Sequence, residues 1–130
     1  MKRTILVAEH ISFLRIAILD FLKVFNYSCI VAIDGEDAIN KAKREQPDVI
    51  LMDADMPKIN GIDATRKILQ ENKDMKIIVC TYESTATMVL EAMKAGAVDF
   101  LAKPIKTDSL LEKIDNIFQN DTSKNKKSKN

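Results

Sequence analysis

The chain has 130 residues, the size of one ordinary domain with its own core. Its 46% hydrophobic and 30% charged residues are typical of a globular protein and exclude a disordered chain. The net charge of +1 argues against a generally basic nucleic-acid binder. The sequence has neither the roughly 20 consecutive apolar residues of a membrane span nor the layout of a signal peptide. We therefore expect no direct contact with nucleic acid or membrane.

Hydrophobic periodicity predicts strands and helices in strict alternation. Short apolar runs predict strands, and apolar residues that recur every three or four positions predict helices. In chain order these are strand Thr4–Ala8, helix Ile11–Phe25, strand Ser28–Ile33, helix Glu36–Glu45, strand Val49–Asp53, helix Ile62–Asn72, strand Lys76–Thr81, helix Thr85–Ala95, strand Asp99–Ala102 and helix Lys106–Phe118. This alternation predicts an α/β fold, a flavodoxin-like five-stranded parallel sheet of order 2-1-3-4-5 with helices on both faces.

Residues 1–120 are predicted to form this single domain, and residues 121–130 a disordered, lysine-rich tail. The tail contains no apolar residue, so it has nothing to bury in a core. It is either a solvated end or a linker toward a further domain. Cys29 and Cys80 both fall in predicted strands, which indicates buried, reduced thiols in a cytoplasmic protein. Their spacing does not support a redox pair.

Four polar side chains stand at the carboxyl ends of the predicted strands. Glu9, Asp53, Thr81 and Lys103 follow or end the first, third, fourth and fifth strands, and the predicted sheet order brings those ends to one rim. A carboxylate there can accept a phosphoryl group as an acyl phosphate. Carboxylates also hold Mg²⁺ together with water and phosphate oxygens, and a lysine neutralises phosphate charge. The residue types together predict a phosphoryl-transfer site.

At this point the sequence resembles the receiver domain of two-component response regulators, and in particular the chemotaxis-regulator type. The matching segments are I-L-V-A-E-H, D-G-E-D-A-I, D-V-I-L-M-D-A-D-M-P-K-I-N-G, I-I-V-C-T and A-G-A-V-D-F-L-A-K-P. The resemblance implies that Asp53 is phosphorylated by a phosphohistidine donor, either a histidine kinase or a phosphotransfer protein. It further implies that Glu9, Asp53 and the backbone carbonyl of Asp55 bind Mg²⁺, and that Thr81 and Lys103 contact the phosphoryl oxygens.

The resemblance also implies a route from the site to a partner. Phe100 stands where the family has an aromatic residue that changes rotamer, and Lys103-Pro104 resembles the family's cis peptide. The face formed by the fourth helix, fifth strand and fifth helix is implied to bind a downstream protein target. On this face Val89, Met93 and Ile105 are the candidate contacts, although Val89 and Met93 fit core packing equally well. Such a protein is not an enzyme but a phosphoacceptor that assists its own phosphorylation and dephosphorylation.

Several residues depart from the family pattern. Receivers carry an acidic pair after the first strand, and the sequence suggests that Ala8 replaces the first member and Glu9 is the second. We therefore expect a weakened Mg²⁺ site and impaired but not abolished phosphorylation. Asp55 either steers water onto the phosphoryl group or is a solvated loop residue. Tyr82 either obstructs Asp53 or lies across the surface, and His10 is interpreted as an exposed loop residue.

Two other functions compete with a phosphorylated receiver. A pseudo-receiver would have the same fold and act as an interaction module without phosphate. A flavodoxin-like electron carrier would need a Ser/Thr/Gly-rich phosphate loop after the first strand, and E-H-I-S-F is no such loop. The D-A-D segment is similar to the D-x-D of haloacid-dehalogenase-type phosphatases, but the further motifs of that family are missing.

Overall fold

The computed structural model describes residues 2–128, and it describes side chains through Asn120. Its elements are β1 (Thr4–Ala8), α1 (Ser12–Val24), β2 (Ser28–Ala32), α2 (Gly35–Glu45), β3 (Val49–Asp53), α3 (Gly61–Glu71), β4 (Ile77–Thr81), α4 (Ala86–Lys94), β5 (Asp99–Ala102) and α5 (Thr107–Ser128). Except at the end of α5, each predicted boundary lies within one residue of the observed one.

The five strands form one parallel sheet in the order β2-β1-β3-β4-β5, which confirms the predicted topology. Strand β1 pairs with both β2 and β3, so the strand order reverses beside β1. In a doubly wound sheet a ligand binds at the carboxyl ends of the strands next to such a reversal. The ends of β1, β3 and β4 are therefore side by side, and that of β5 follows.

Each face of the sheet packs against its own apolar layer. In β3, Ile50 and Met52 belong to one buried cluster and Val49 and Leu51 to the other. This two-sided burial explains why β3 reads as an unbroken apolar run instead of an alternating one. Both cysteines are free thiols; Cys80 is buried and Cys29 half-buried.

Short polar caps fix the starts of three helices. The side chains of Asp34, Asn60 and Thr85 accept hydrogen bonds from backbone N–H groups three residues later, at 2.7, 2.9 and 3.2 Å. Thr85 is thus the cap of α4. At the other end of α4, Gly96 has φ +107°, a conformation that favours glycine and ends the helix.

The backbone of α5 runs to Ser128, beyond the apolar pattern that predicts an end at Phe118. Side chains from residue 121 onward, and residues 129 and 130 altogether, lie outside the described part of the chain. The predicted disorder of residues 121–130 therefore stays a prediction. Across the described residues, none of the helices combines the length and the apolar character needed to cross a bilayer.

Candidate functional site

The carboxyl rim of the sheet brings Glu9, Asp53 and Lys103 into direct contact. Both carboxylates are almost fully buried, with 2% and 3% of Glu9 and Asp53 exposed. The Nζ atom of Lys103 lies 3.2 Å from Oδ1 of Asp53 and forms a short contact with Oε1 of Glu9. One lysine therefore bridges residues that come from the ends of β1 and β3, as the predicted sheet order requires.

Backbone groups hold both carboxylates in place. The Asp55 N–H donates to Oδ1 of Asp53 at 3.0 Å, and the Ile11 N–H donates to Oε2 of Glu9 at 3.2 Å. The guanidinium of Arg15 in α1 donates to the Glu9 carbonyl oxygen at 2.7 Å, which ties the loop after β1 to the helix that follows. Hydrogen bonds to an ionised carboxylate are among the stronger ones, so the site is preorganised.

His10 is part of this cluster, which the sequence reasoning missed. Its Nδ1 lies 3.0 Å from Oδ2 of Asp53 and 3.5 Å from Oε2 of Glu9. One third of its side chain, 33%, is exposed, so the ring lies on the solvent side of the site. His10 is an exposed residue of the loop after β1, as interpreted from the sequence, but the contacts of its ring with both carboxylates were not predicted. The available signal was its position directly after Glu9, at the end of a predicted strand.

Ala8 contributes no group to the site. It pairs with Ala32 and Met52 inside the sheet and belongs to one of the two apolar clusters, with 2% of its surface exposed. The expectation that Ala8 occupies one position of an acidic pair is therefore corrected. The two residues that follow β1 and face Asp53 are Glu9 and His10.

The other predicted site residues lie around this centre. Thr81 is fully buried, and its hydroxyl oxygen accepts a hydrogen bond from the Glu83 N–H at 3.1 Å. Asp55 is exposed. Tyr82 is 54% exposed, and its ring centre lies 5.5 Å from Lys103 Nζ, so the ring stands at the mouth of the site and not inside it. Phe100 is partly buried against the apolar cluster that contains Ala8.

The charges of the cluster shift three pKa values. Burial would lower the pKa of Lys103, but the carboxylates of Glu9 and Asp53 outweigh it and raise that pKa. Burial would likewise raise the pKa of Asp53, but its interactions with Glu9, the Asp55 amide and Lys103 together lower it. Burial, aided by nearby Asp53, raises the pKa of Glu9 despite Lys103. Asp53 is thus the carboxylate held ionised beside a charged lysine.

The donor atoms suit a divalent cation. Oxygens of Glu9 and Asp53 and a ring nitrogen of His10 lie within 4.8 Å of one another. Mg²⁺ is commonly held by one or two carboxylates and completes its shell with water and phosphate oxygens. The two buried carboxylates therefore fit Mg²⁺, whereas the imidazole is a donor that Mg²⁺ does not require.

The site has a buried carboxylate at the switch point of a doubly wound parallel sheet, and a lysine that directly follows the last strand contacts it. This arrangement defines a phosphoacceptor class of site. Comparison with known proteins agrees with this class. The chain belongs to the response regulator receiver domain family, whose sequence model matches residues 5–115.

Similar proteins cover nearly the whole chain. The chemotaxis protein CheY of Thermotoga maritima is 35% identical over 118 residues, which is 90% of this chain and 98% of that protein. The structure of the response regulator domain of Thermotoga maritima CheB is 32% identical, with a TM-score of 0.83 over 92% of this chain and 98% of that one. A CheX–CheY–BeF3–Mg²⁺ complex from Borrelia burgdorferi shares the fold, at 24% identity and a TM-score of 0.86 over 89% of each chain.

Proposed function

We propose that Asp53 of this receiver domain accepts a phosphoryl group from a phosphohistidine of a histidine kinase or a phosphotransfer protein. An oxygen of the Asp53 carboxylate attacks phosphorus, the P–N bond of the donor breaks, and the freed imidazole takes up a proton. The observation that carries the proposal is the bridge from Lys103 to both carboxylates. It keeps Asp53 ionised and places a cation where the phosphoryl charge arrives.

The chain's own residues supply most of what the transfer needs. Lys103 neutralises a phosphoryl oxygen, and the Thr81 hydroxyl, which accepts from the Glu83 N–H, can donate its own proton as a second contact. Glu9, Asp53 and the Asp55 carbonyl would hold a divalent cation, which supplies further charge neutralisation when bound. The site would thus assist its own phosphorylation and the later hydrolysis, without turning over a separate substrate.

Access for the donor is provided by a groove beside the site. A cavity of about 160 Å³ lies between α1 and the segment after β5, and Glu9, Tyr82 and Lys103 form its end next to Asp53. Its other walls are mainly apolar, with Leu14 and Ile18 from α1. A helical donor protein that fills this groove would bring its phosphohistidine to the rim.

The output would pass through Thr81 and Phe100 to the face of α4, β5 and α5. A phosphate at Asp53 would recruit the Thr81 hydroxyl, and Phe100 would fill the space left by that movement. On this face Met93 is 44% exposed, and Val89 and Ile105 are half-buried. Leu90 of α4 is exposed as well, and this exposed apolar surface supports a binding site for a downstream protein.

The test is acyl phosphate formation. The purified chain is incubated with acetyl phosphate and Mg²⁺, and intact mass spectrometry measures phosphate uptake. Wild type is expected to take up one phosphoryl group, and Asp53→Asn none. Asp55→Asn is the matched control, because that carboxylate is exposed and only two residues away; it should still be phosphorylated. Absence of uptake by wild type would identify a pseudo-receiver.

Asp55 also bears on how long the phosphate lasts. If its carboxylate steers water onto the phosphoryl group, the acyl phosphate decays more slowly in Asp55→Asn than in wild type. The exposed position of Asp55 at the mouth of the site supports such a role. An unchanged or faster decay would assign Asp55 to the solvated loop and nothing more.

A further inference from the structure

The two buried carboxylates divide their oxygens between two different neighbours. Oε1 of Glu9 and Oδ1 of Asp53 face Lys103, whereas Oε2 and Oδ2 of the same side chains face Nδ1 of His10. Lys103 is thus on one side of the carboxylate pair and the imidazole on the other. The oxygens on the His10 side are not used by the lysine. Oε2 of Glu9 also accepts the Ile11 N–H, but a carboxylate oxygen has a second lone pair that can bind a further ligand.

The distances on the His10 side match the edges of a coordination shell. Nδ1 of His10 lies 3.0 Å from Oδ2 of Asp53 and 3.5 Å from Oε2 of Glu9. Metal–ligand bonds of roughly 2.0–2.2 Å separate neighbouring ligands by about 3.0 Å in octahedral and about 3.4 Å in tetrahedral geometry. The nitrogen of His10 is already at such separations from both oxygens, and all three donor atoms lie within 4.8 Å of one another, so little movement would let them share one ion.

We propose that Glu9, His10 and Asp53 form a three-ligand site that selects a first-row transition metal, such as Zn²⁺ or Co²⁺, in preference to Mg²⁺. Imidazole nitrogen is a preferred ligand of Zn²⁺, Cu²⁺ and Ni²⁺, whereas Mg²⁺ favours carboxylate, carbonyl and water oxygens. His10 therefore adds affinity for the first group and little for Mg²⁺.

Charge and access support the same assignment. A divalent cation would add positive charge to a mostly buried cluster in which one lysine faces two carboxyl groups. The partly exposed ring of His10 lets an ion enter from solvent and leaves coordination positions for water or a phosphate oxygen. The proposal concerns the site of the proposed phosphorylation, but it is tested by metal ligation alone.

The sequence offers a clean reporter, because His10 is the only histidine of the chain. The full chain, without a polyhistidine tag and with ¹⁵N-labelled histidine, is titrated with Zn²⁺ and separately with Mg²⁺ at neutral pH. The ring nitrogen resonances of His10 report ligation directly by NMR. Zn²⁺ should shift the Nδ1 resonance strongly at one equivalent, and Mg²⁺ should leave it nearly unchanged even in large excess.

Calorimetric titrations of variants measure the preference. In His10→Asp the ratio of Zn²⁺ to Mg²⁺ affinity should fall by roughly tenfold or more. Mutation of residues that only support a metal ligand already lowers metal affinity by about this factor. Cys29→Ser is the matched control, because that half-buried thiol is a soft donor in β2 outside the cluster, and the affinity ratio of this variant should stay at the wild-type value. Backbone NMR spectra of each variant verify that it is folded.

Two outcomes would overturn the proposal. One is Zn²⁺ binding that leaves the His10 resonances in place, which would mean that carboxylates alone hold the ion. The other is no measurable Zn²⁺ binding to the folded wild type. The two proposals can fail separately. If Zn²⁺ shifts the His10 resonance but the chain takes up no phosphate, the proposed phosphorylation is rejected and the metal site is retained.

Discussion

Lys103 Nζ lies 3.2 Å from Oδ1 of Asp53, across the intervening strand β4, and it contacts Glu9 at the same time. Only 5% of the lysine side chain and 2% of each carboxylate side chain are exposed. A buried charge is tolerated only when it is paired, so the three groups depend on one another. The same arrangement that would serve phosphoryl transfer is therefore a structural element of the domain.

Replacing Lys103 with methionine should destabilise the fold, because the aliphatic stem is retained while two buried carboxylates lose their cation. Removing one partner of a buried ion pair typically costs about 3–5 kcal/mol. The free energy of unfolding from urea titration measures this. Lys113→Met is the matched control, since Lys113 forms a partly exposed pair with Asp99 at 3.0 Å and should change stability by less than about 1 kcal/mol. Equal effects of the two substitutions would contradict the shared role of Lys103.

The stability difference between wild type and Lys103→Met should depend on pH at the alkaline end. The folded protein raises the pKa of Lys103 above its ordinary value of 10.5, because the two carboxylates outweigh burial. The stabilisation from Lys103 is then fully present below pH 10.5 and is lost as pH rises through the raised value. Unfolding of both proteins from about pH 8 to pH 12 measures the difference. A constant difference over this range would show that the lysine acts by packing alone.

Much of the fold and part of the site follow from the sequence by general rules. The periods of the apolar pattern locate the elements, and their alternation leaves one common sheet order that gathers Glu9, Asp53 and Lys103. The role of His10 does not follow, because a pattern does not define the direction of a side chain in a loop. The predicted strand Thr4–Ala8 already contained the signal that Ala8 belongs inside the sheet, and that the rim begins at Glu9.

Exposure on the helix surfaces is the other part that the pattern does not give. The helix predicted over Ile11–Phe25 ends on the apolar residue Phe25, but this residue follows the last helical turn and is 44% exposed. Phe13 and Val24 of the same helix are exposed although they are strongly apolar. Amphipathic periodicity predicts which face of a helix points toward the core. It does not predict how many residues of a wide apolar face the core buries.

Aspartate substitutions at positions 8 and 10 test which residue pairs with Glu9 in the acidic pair: Ala8, as the sequence indicates, or His10, as the structure indicates. Ala8→Asp should destabilise the domain by about 3 kcal/mol, because it buries a carboxylate that has no charged partner inside an apolar cluster. His10→Asp should cost far less stability and should increase Mg²⁺ affinity, since it adds a third carboxylate at the partly exposed edge of the site. Thermal unfolding and Mg²⁺ calorimetry measure both effects. Tighter Mg²⁺ binding by a stable Ala8→Asp would restore the sequence-based assignment.

The thiol of Cys80 should be inert in the folded protein. It is fully buried beside Asp53 in the sheet register, and burial raises its pKa to about 12, so almost no thiolate forms near neutral pH. Alkylation with iodoacetamide at about pH 8, followed by peptide mass spectrometry, should modify Cys29 partially and Cys80 only after denaturation. Rapid native labelling of Cys80 would mean that the rim opens far more often than a packed sheet allows.

Gly61 should be required for the position of Asp53. A Cβ atom at this position would lie 2.0 Å from the Asp53 carbonyl oxygen and 2.8 Å from Cα of Ala54, so the clash is with backbone that no rotamer change relieves. Gly61→Ala should therefore shift the end of β3, cost about 3 kcal/mol of stability, and reduce phosphate uptake even at temperatures where the variant is folded.

The matched control for Gly61→Ala is Gly96→Ala. Its added Cβ would meet Leu69 Cδ1 at 2.6 Å, the far end of a flexible side chain, and its φ of +107° is strained for alanine. This variant should lose about 1 kcal/mol or more. Because Gly96 follows α4, away from Asp53, phosphate uptake by the folded fraction should stay at the wild-type level. Urea unfolding and acetyl phosphate labelling of both variants give the two quantities. Normal uptake by folded Gly61→Ala would show that the β3 end tolerates the shift and that Asp53 is held by its side-chain contacts alone.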